Sequence, residues 1–217
     1  MTRYKNWLVI INEKRLFLNH FTAPYFFMNN HRHFIFHKPY GTISQFVNPH
    51  KREKKLLGDF FNYPKKTMAI GRLDVNSEGL LLLTTNGKIS EKIRSSNVEK
   101  EYYVQVDGCI TQEKINILKS GVIIGFKGKK YTTKPCLSSL IPVPDFKERT
   151  QKIRDERHGP TSWISITLKE GKFRQVRKMT AAVGYPTLRL VRIRIGSIVL
   201  GNLELGEVKE VKSFFNF

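Results

Sequence analysis

A chain of 217 residues, 40% hydrophobic and 12% aromatic, carries enough apolar content for one sizeable core, which excludes a disordered chain. Lysine and arginine number 38 against 18 acids, a formal charge of +20, so the expected partner is a polyanion. The longest apolar runs, "WLVII" and "LLLL", fall far short of the ~20 residues of a spanning helix, and the first ends in "NEKR" with no cleavage-site pattern, so the expectation is a cytoplasmic protein with no membrane partner.

In chain order, residues 1–32 mix aromatics, Asn and basic side chains without a sustained period and are read as an extension outside the core. "HFIFHKPYG" predicts a strand stopped by a Pro and Gly turn, and "TISQF" alternates like a second strand of a hairpin. "NPHKREKK" is a basic loop and "LLGDFF" a short amphipathic turn. "TMAIGRL" predicts a strand leading into an acidic turn, "EGLLLLTTNG" a buried strand ended by Asn-Gly, and "GKISEKIRSS" a helix. "KEYYVQVDG" alternates as a strand, and "TQEKINILKSG" predicts a helix capped by Thr and closed by Gly. "DFKERTQKIRDERHGP" reads as an exposed charged arm. "TSWISITLKEG" is then a strand, "KFRQVRKMTAAVG" a helix, and "TLRLVRIRIGSIVL" one long final strand. The sum is a strand-rich α+β chain.

The acidic turn, "GRLDVNSEG", admits three readings. Asp74, Asn76, Glu78 and Gly79 match the opening of a calcium loop, but Thr85 stands where a bidentate Glu is required and a strand pattern follows where a helix should. Asp74 could equally cap the turn through Asx-type hydrogen bonds. As a third possibility, a carboxylate at the junction of a rigid strand and an open turn, flanked by Gly71 and Arg72, suits a nucleophile. Cys109 and Cys136 form no CxxC pair and have no His at ligand spacing, so no metal site is expected.

"GRLDVNSEGLLLLTTNG", "KEYYVQV" and "EGKFRQVRKMTAAVGYPTLRLVRIRIG", in this order, resemble the ribosomal small- and large-subunit branch of the pseudouridine synthases, over about His33 to Val211. Within that branch, the "PTSW" segment, the length and the lack of an S4-like RNA-binding module are most similar to a large-subunit member. The resemblance implies a mixed, mostly antiparallel central sheet flanked by helices, in two lobes with a catalytic cleft. Residues 1–32 would be the extension and 33–217 the catalytic domain. It implies isomerisation of uridine to pseudouridine in 23S ribosomal RNA by a cofactor-free monomer. The alternatives are action on 16S or transfer RNA, or a non-catalytic basic protein of ribosome assembly.

The resemblance also assigns residues. Asp74 is the nucleophile, and attack on sugar or base are both compatible with it. Arg177, in the Q-V-R motif after Gln175, is the fixed cation that keeps it ionised, while Arg174 and Lys178 could as well be solvated. Tyr102, in K-x-Y-x-V after Lys100, stacks on uracil and assists loss of its C5 proton, whereas Tyr103 points to the other face. Leu190 is the floor under the base, or plain core. Arg72 fills the gap left by the extruded uridine. From Gly171 to Leu203 no acid occurs, so Lys172, Arg174, Arg177, Lys178, Arg189, Arg192 and Arg194 read as an RNA-facing wall, with a parity shift between Arg189 and Arg192 that predicts a β-bulge.

Overall fold

The computed structural model describes residues 31–48, 53–95, 98–149, 151–153 and 156–214; the extension expected over residues 1–32 lies outside these except for His31 and Arg32. The elements in order are β1 (His33–Lys38), β2 (Met68–Ala69), β3 (Glu78–Thr84), α1 (Gly87–Ser95), β4 (Lys100–Asp107), α2 (Gln112–Ser120), β5 (Ile123–Phe126), β6 (Lys129–Thr132), β7 (Leu137–Ile141), β8 (Thr161–Leu168), α3 (Gln175–Ala182), β9 (Thr187–Ile195), β10 (Ile198–Val199) and β11 (Val208–Val211). One sheet runs β11-β1-β3-β9-β4-β8-β7, with β2 on β3 and β10 on β9, while β5 and β6 form a separate hairpin. Among the described residues no helix is long and apolar enough to cross a membrane.

Every pairing in the main sheet is antiparallel except β3 with β9, which run parallel and share only the pairs Glu78↔Val191 and Gly79↔Arg192. This short seam divides the sheet into two halves. The run "LLLL" is buried on both faces because β3 is central: Leu81 and Leu83 pack with Phe34, Phe36 and Leu57, and Leu80 and Leu82 pack on the other face with Ile93 of α1 and Val191. Beyond the seam, Val104, Ile164, Ile166 and Leu190 are covered by Ile115 and Leu118 of α2 and Val176 and Met179 of α3.

Caps follow the local chemistry. Asn86, expected only to end a strand, also starts α1, its Oδ1 accepting from the N–H of Lys88 and Ile89 at 3.0 and 3.2 Å. Thr111 caps α2 by accepting from the Lys114 N–H. The bulge expected between Arg189 and Arg192 is not there: those residues pair in unbroken register with Gln105 to Tyr102, and β9 is irregular on either side of them instead, where Leu188 and Ile193 are skipped.

Four further expectations are corrected. "TISQF" is not a strand: Ile43 N–H donates to Lys55 O, and Ser44 Oγ exchanges hydrogen bonds with the backbone of Leu73, so Thr42, Ile43 and Ser44 are buried in succession in a braced loop. The long final strand breaks at Gly196 and folds back as β10. The charged arm is tied down at its start, where the Phe146 ring lies 6.2 Å from Tyr103 and 5.9 Å from Trp163. The basic wall is not continuous: Arg189 and Arg192 are buried, and Arg194 pairs with Glu99 and Glu101.

Candidate active site

The turn between β2 and β3 is held at every carbonyl from Leu73 to Ser77. Leu73 O accepts from Ser44 Oγ at 2.8 Å, Asp74 O from Ser77 N–H at 3.0 Å, and Val75 O from Gly41 N–H at 2.8 Å. Asn76 O accepts from Arg177 Nη2 at 2.6 Å, and Ser77 O from the buried Lys38 Nζ at 2.8 Å. Backbone and distant side chains thus close the turn, which leaves the Asp74 carboxylate outside the bracing. Its side chain is 25% exposed and faces Arg174 Nη1 at 3.7 Å.

A cleft of about 80 Å³ opens beside it, lined by Arg72, Asp74, Tyr102, Arg174, Gln175 and Leu190, together with Ser77 and Glu170, which the sequence reading does not single out. Strand parity explains the company. Tyr102 shares its face of β4 with Val104 and with Leu190 and Arg192 across the ladder, whereas Tyr103 faces the other side, toward Phe146. A larger groove of about 940 Å³ lies on that opposite side, lined by Gln105, Trp163 and Phe146. The small cleft is the better candidate for chemistry, because it opposes a half-buried carboxylate to an aromatic ring and a guanidinium.

Arg177 does not line the cleft. It is drawn under the turn, donating to Asn76 O, to Ser77 Oγ at 3.4 Å and to Thr187 O at 3.3 Å, with Nε unpartnered. Burial and the neighbouring Arg174 push its pKa down while Asp74 pulls it up, so it adds to the positive field behind the carboxylate. The guanidinium in ion-pair contact with Asp74 is Arg174 instead. Its left-handed backbone, φ 53°, stands before the first turn of α3 and turns the side chain toward the cleft rather than along a helix face.

Gln175 lines the cleft but is 3% exposed and engaged: its Nε2 donates to Glu170 Oε1 at 2.6 Å and its Oε1 accepts from Lys172 N–H at 2.9 Å. It fixes the loop before α3. Lys100, at the start of β4, and Arg192, in the seam, lie off the cleft lining. Arg192 Nε donates to Leu80 O at 2.8 Å, its Nη2 is buried without a partner, and burial together with Arg192 lowers the pKa of Lys100. Lys38 is the residue most plainly absent from the sequence reading; a lysine before Pro at a strand end gives no sign of burial.

A protein-family model described as RNA pseudouridylate synthase matches residues 32–182. The chain belongs to the RNA pseudouridylate synthase family. The synthase is 41% identical over 187 residues to the protein named ribosomal large subunit pseudouridine synthase E of Vibrio parahaemolyticus, an alignment covering 85% of this chain and 76% of that one. It is 39% identical over 165 residues to the protein of the same name from Xanthomonas axonopodis pv. citri, covering 75% and 84%. A crystal structure of a pseudouridylate synthase superposes with a TM-score of 0.65 at 29% identity, over 85% of this chain and 72% of that one.

The synthase is therefore an isomerase that converts uridine to pseudouridine within RNA. The reaction breaks the bond between the sugar and N1, turns the uracil, joins C5 to the sugar, and exchanges the C5 proton for one on N1. Such chemistry asks for a carboxylate kept charged, a flat apolar seat for the base and cations for the phosphates. The cleft offers groups of each kind.

Proposed function

We propose that this synthase modifies a uridine of large-subunit ribosomal RNA, as a monomer in the cytoplasm, with residues 33–217 as its catalytic domain. The target is inferred from the names carried by its relatives in Vibrio and Xanthomonas. The basic balance of the chain accords with a ribosomal RNA partner.

Asp74 is the nucleophile in this reading. The observation that carries it is the braced turn, which fixes the backbone of Asp74 at five successive carbonyls and presents its carboxylate to Arg174 across the cleft. Tyr102 seats the uracil over Leu190 and assists removal of the C5 proton. Arg174 is the counter-charge facing the Asp74 carboxylate, Arg177 holds the turn and adds to the field, and exposed Arg72 occupies the gap left in the RNA. Lys100, Gln175 and Arg192 support these groups from behind.

The test is to map pseudouridine in ribosomal RNA from a strain lacking the gene, complemented with wild type or Asp74→Asn. One large-subunit position is expected to lose pseudouridine on deletion, to regain it with wild type and to stay unmodified with the variant. The variant should bind RNA as before. Loss confined to 16S or transfer RNA would move the substrate, and restoration of pseudouridine by Asp74→Asn would remove the nucleophile assignment.

A further inference from the structure

Phe173 is 67% exposed, one residue before the guanidinium that faces Asp74. A ring this open on a basic surface calls for an explanation, because its neighbours on both sides are pinned. Lys172 donates its N–H to Gln175 Oε1, and its ammonium sits between two rings of the β5–β6 hairpin, 5.4 Å from the centroid of Phe126 and 5.0 Å from that of Tyr131. The hairpin is fastened in turn by Tyr131 Oη donating to Glu170 Oε2 at 2.6 Å. On the other side, Arg174 takes its left-handed conformation and pairs with Asp74. Lys172 and Arg174 are thus both engaged, and the Phe173 ring between them stands open to solvent.

The charge lying against the ring is cationic. Lys178 lies with Nζ 5.5 Å from the Phe173 centroid and donates to Gly125 O at 2.6 Å, so the ammonium covers part of the ring and is itself anchored to the hairpin. Glu170, the acid of this loop, is consumed internally. Burial alone would raise its carboxyl, but hydrogen bonds from Tyr131, the Lys134 N–H and Gln175 outweigh that and hold it below its usual range. An exposed ring framed by lysine and arginine, with the local carboxylate turned inward, fits a nucleobase flanked by phosphates and would repel an acidic partner.

We propose that Phe173 is a stacking platform, outside the catalytic cleft, for a nucleobase flanking the target uridine. The inference rests on the reading of the Asp74 cleft as the seat of that uridine. Lys172 and Arg174, the residues on either side of Phe173, both line the cleft, so the ring stands at its rim beside the seat of the extruded base. It holds the strand in register while Arg72 occupies the gap.

The experiment compares wild type with Phe173→Leu and Phe173→Trp on a deproteinised large-subunit ribosomal RNA transcript. Leu keeps the apolar bulk and loses the π-face, so the RNA concentration for half-maximal rate is expected to rise roughly tenfold, with the rate at saturation moving much less. Trp should restore half-saturation, and its indole fluorescence should be quenched as RNA is added. Because the ring is exposed, both variants should melt with wild type. Wild-type half-saturation in Phe173→Leu, or an unquenched Phe173→Trp that binds RNA fully, would overturn the proposal. If wild type makes no pseudouridine in this RNA, the substrate reading has failed, and the quenching titration still decides the stack.

Discussion

Lys38 is fully buried, its Nζ donating to Pro39 O and Ser77 O at 2.8 Å each, so an amine supports the Asp74 turn from below. Burial pushes its pKa from 10.5 down to about 7, with Glu78 and Asp74 pulling it up and Arg192 pushing it further down. Between those two values the unfolded chain binds more protons than the folded one, so this residue makes stability rise as pH climbs from about 7 toward 10.5. Lys38→Met should therefore gain less stability than wild type between pH 7 and pH 9.5, read as the shift in urea midpoint. An equal shift would mean that the buried amine keeps its ordinary affinity for a proton. The family resemblance names Asp74, Tyr102 and Leu190, where residue pattern leaves Asp74 open between cap and nucleophile and Leu190 between floor and core. Strand parity explains why Tyr102 and Leu190 line one cleft with Asp74. Lys38 was hidden because its burial depends on Ser77, far along the chain. The exchange of places between Arg174 and Arg177 was hidden by one backbone angle: α3 starts at Gln175, so a helical wheel extended back through Arg174 points that residue the wrong way.

At the level of elements, the two halves of the sheet meet where β3 and β9 share two residue pairs, and Gly79 is one of the four residues involved. Its φ is 104°, and a Cβ there would stand 2.3 Å from Arg192 O and 2.6 Å from Arg192 N, backbone atoms that cannot swing aside. Gly79→Ala must separate the strands. That movement also pulls on the buried pair one residue away, in which Arg189 Nε and Nη2 each donate to Glu78 at 3.0 Å. Overpacking of this kind costs about 1–3 kcal/mol, so a lowered melting temperature and at least a tenfold loss of turnover are expected. A wild-type melt with full turnover would show that the seam does not set the cleft. β1, β3, β4, β8 and α2 could be read from alternation and caps, since each buries one clear face or lies between two. The β5–β6 hairpin could not. Its two-residue turn, Lys127 and Gly128 with φ 49° and 74°, has the dihedral signs of a type I′ turn, but Lys replaces the usual Asn or Asp, and Ile123 faces solvent. Phe146, alone among charges, gave no periodic sign that the arm begins on the sheet.

For the whole molecule, the excess of 20 positive charges is not spread evenly over one wall. Lys38, Arg189 and Arg192 are spent inside, and Arg32 and Arg194 are paired with Glu210 and with Glu99 and Glu101. What remains near the cleft is a smaller set, Arg72, Lys172 and Lys178, with Arg174 shared with Asp74, around the exposed Phe173. Two kinds of contact then have different salt dependence. If about four cations neutralise phosphates, kcat/KM should fall roughly fiftyfold between 50 and 200 mM salt, following a logarithmic slope near −3. Turnover at saturating RNA should hardly move under the proposed mechanism, in which Asp74 and Arg174 act at short range beneath bound RNA that keeps added ions out. Stacking carries no counterion release. The ratio of half-saturating RNA concentrations between Phe173→Leu and wild type should accordingly stay constant across that range, whereas Lys178→Gln should lose its penalty as salt rises. A Phe173→Leu ratio that collapsed with salt would mean that the ring acts by placing Lys178 rather than by touching a base.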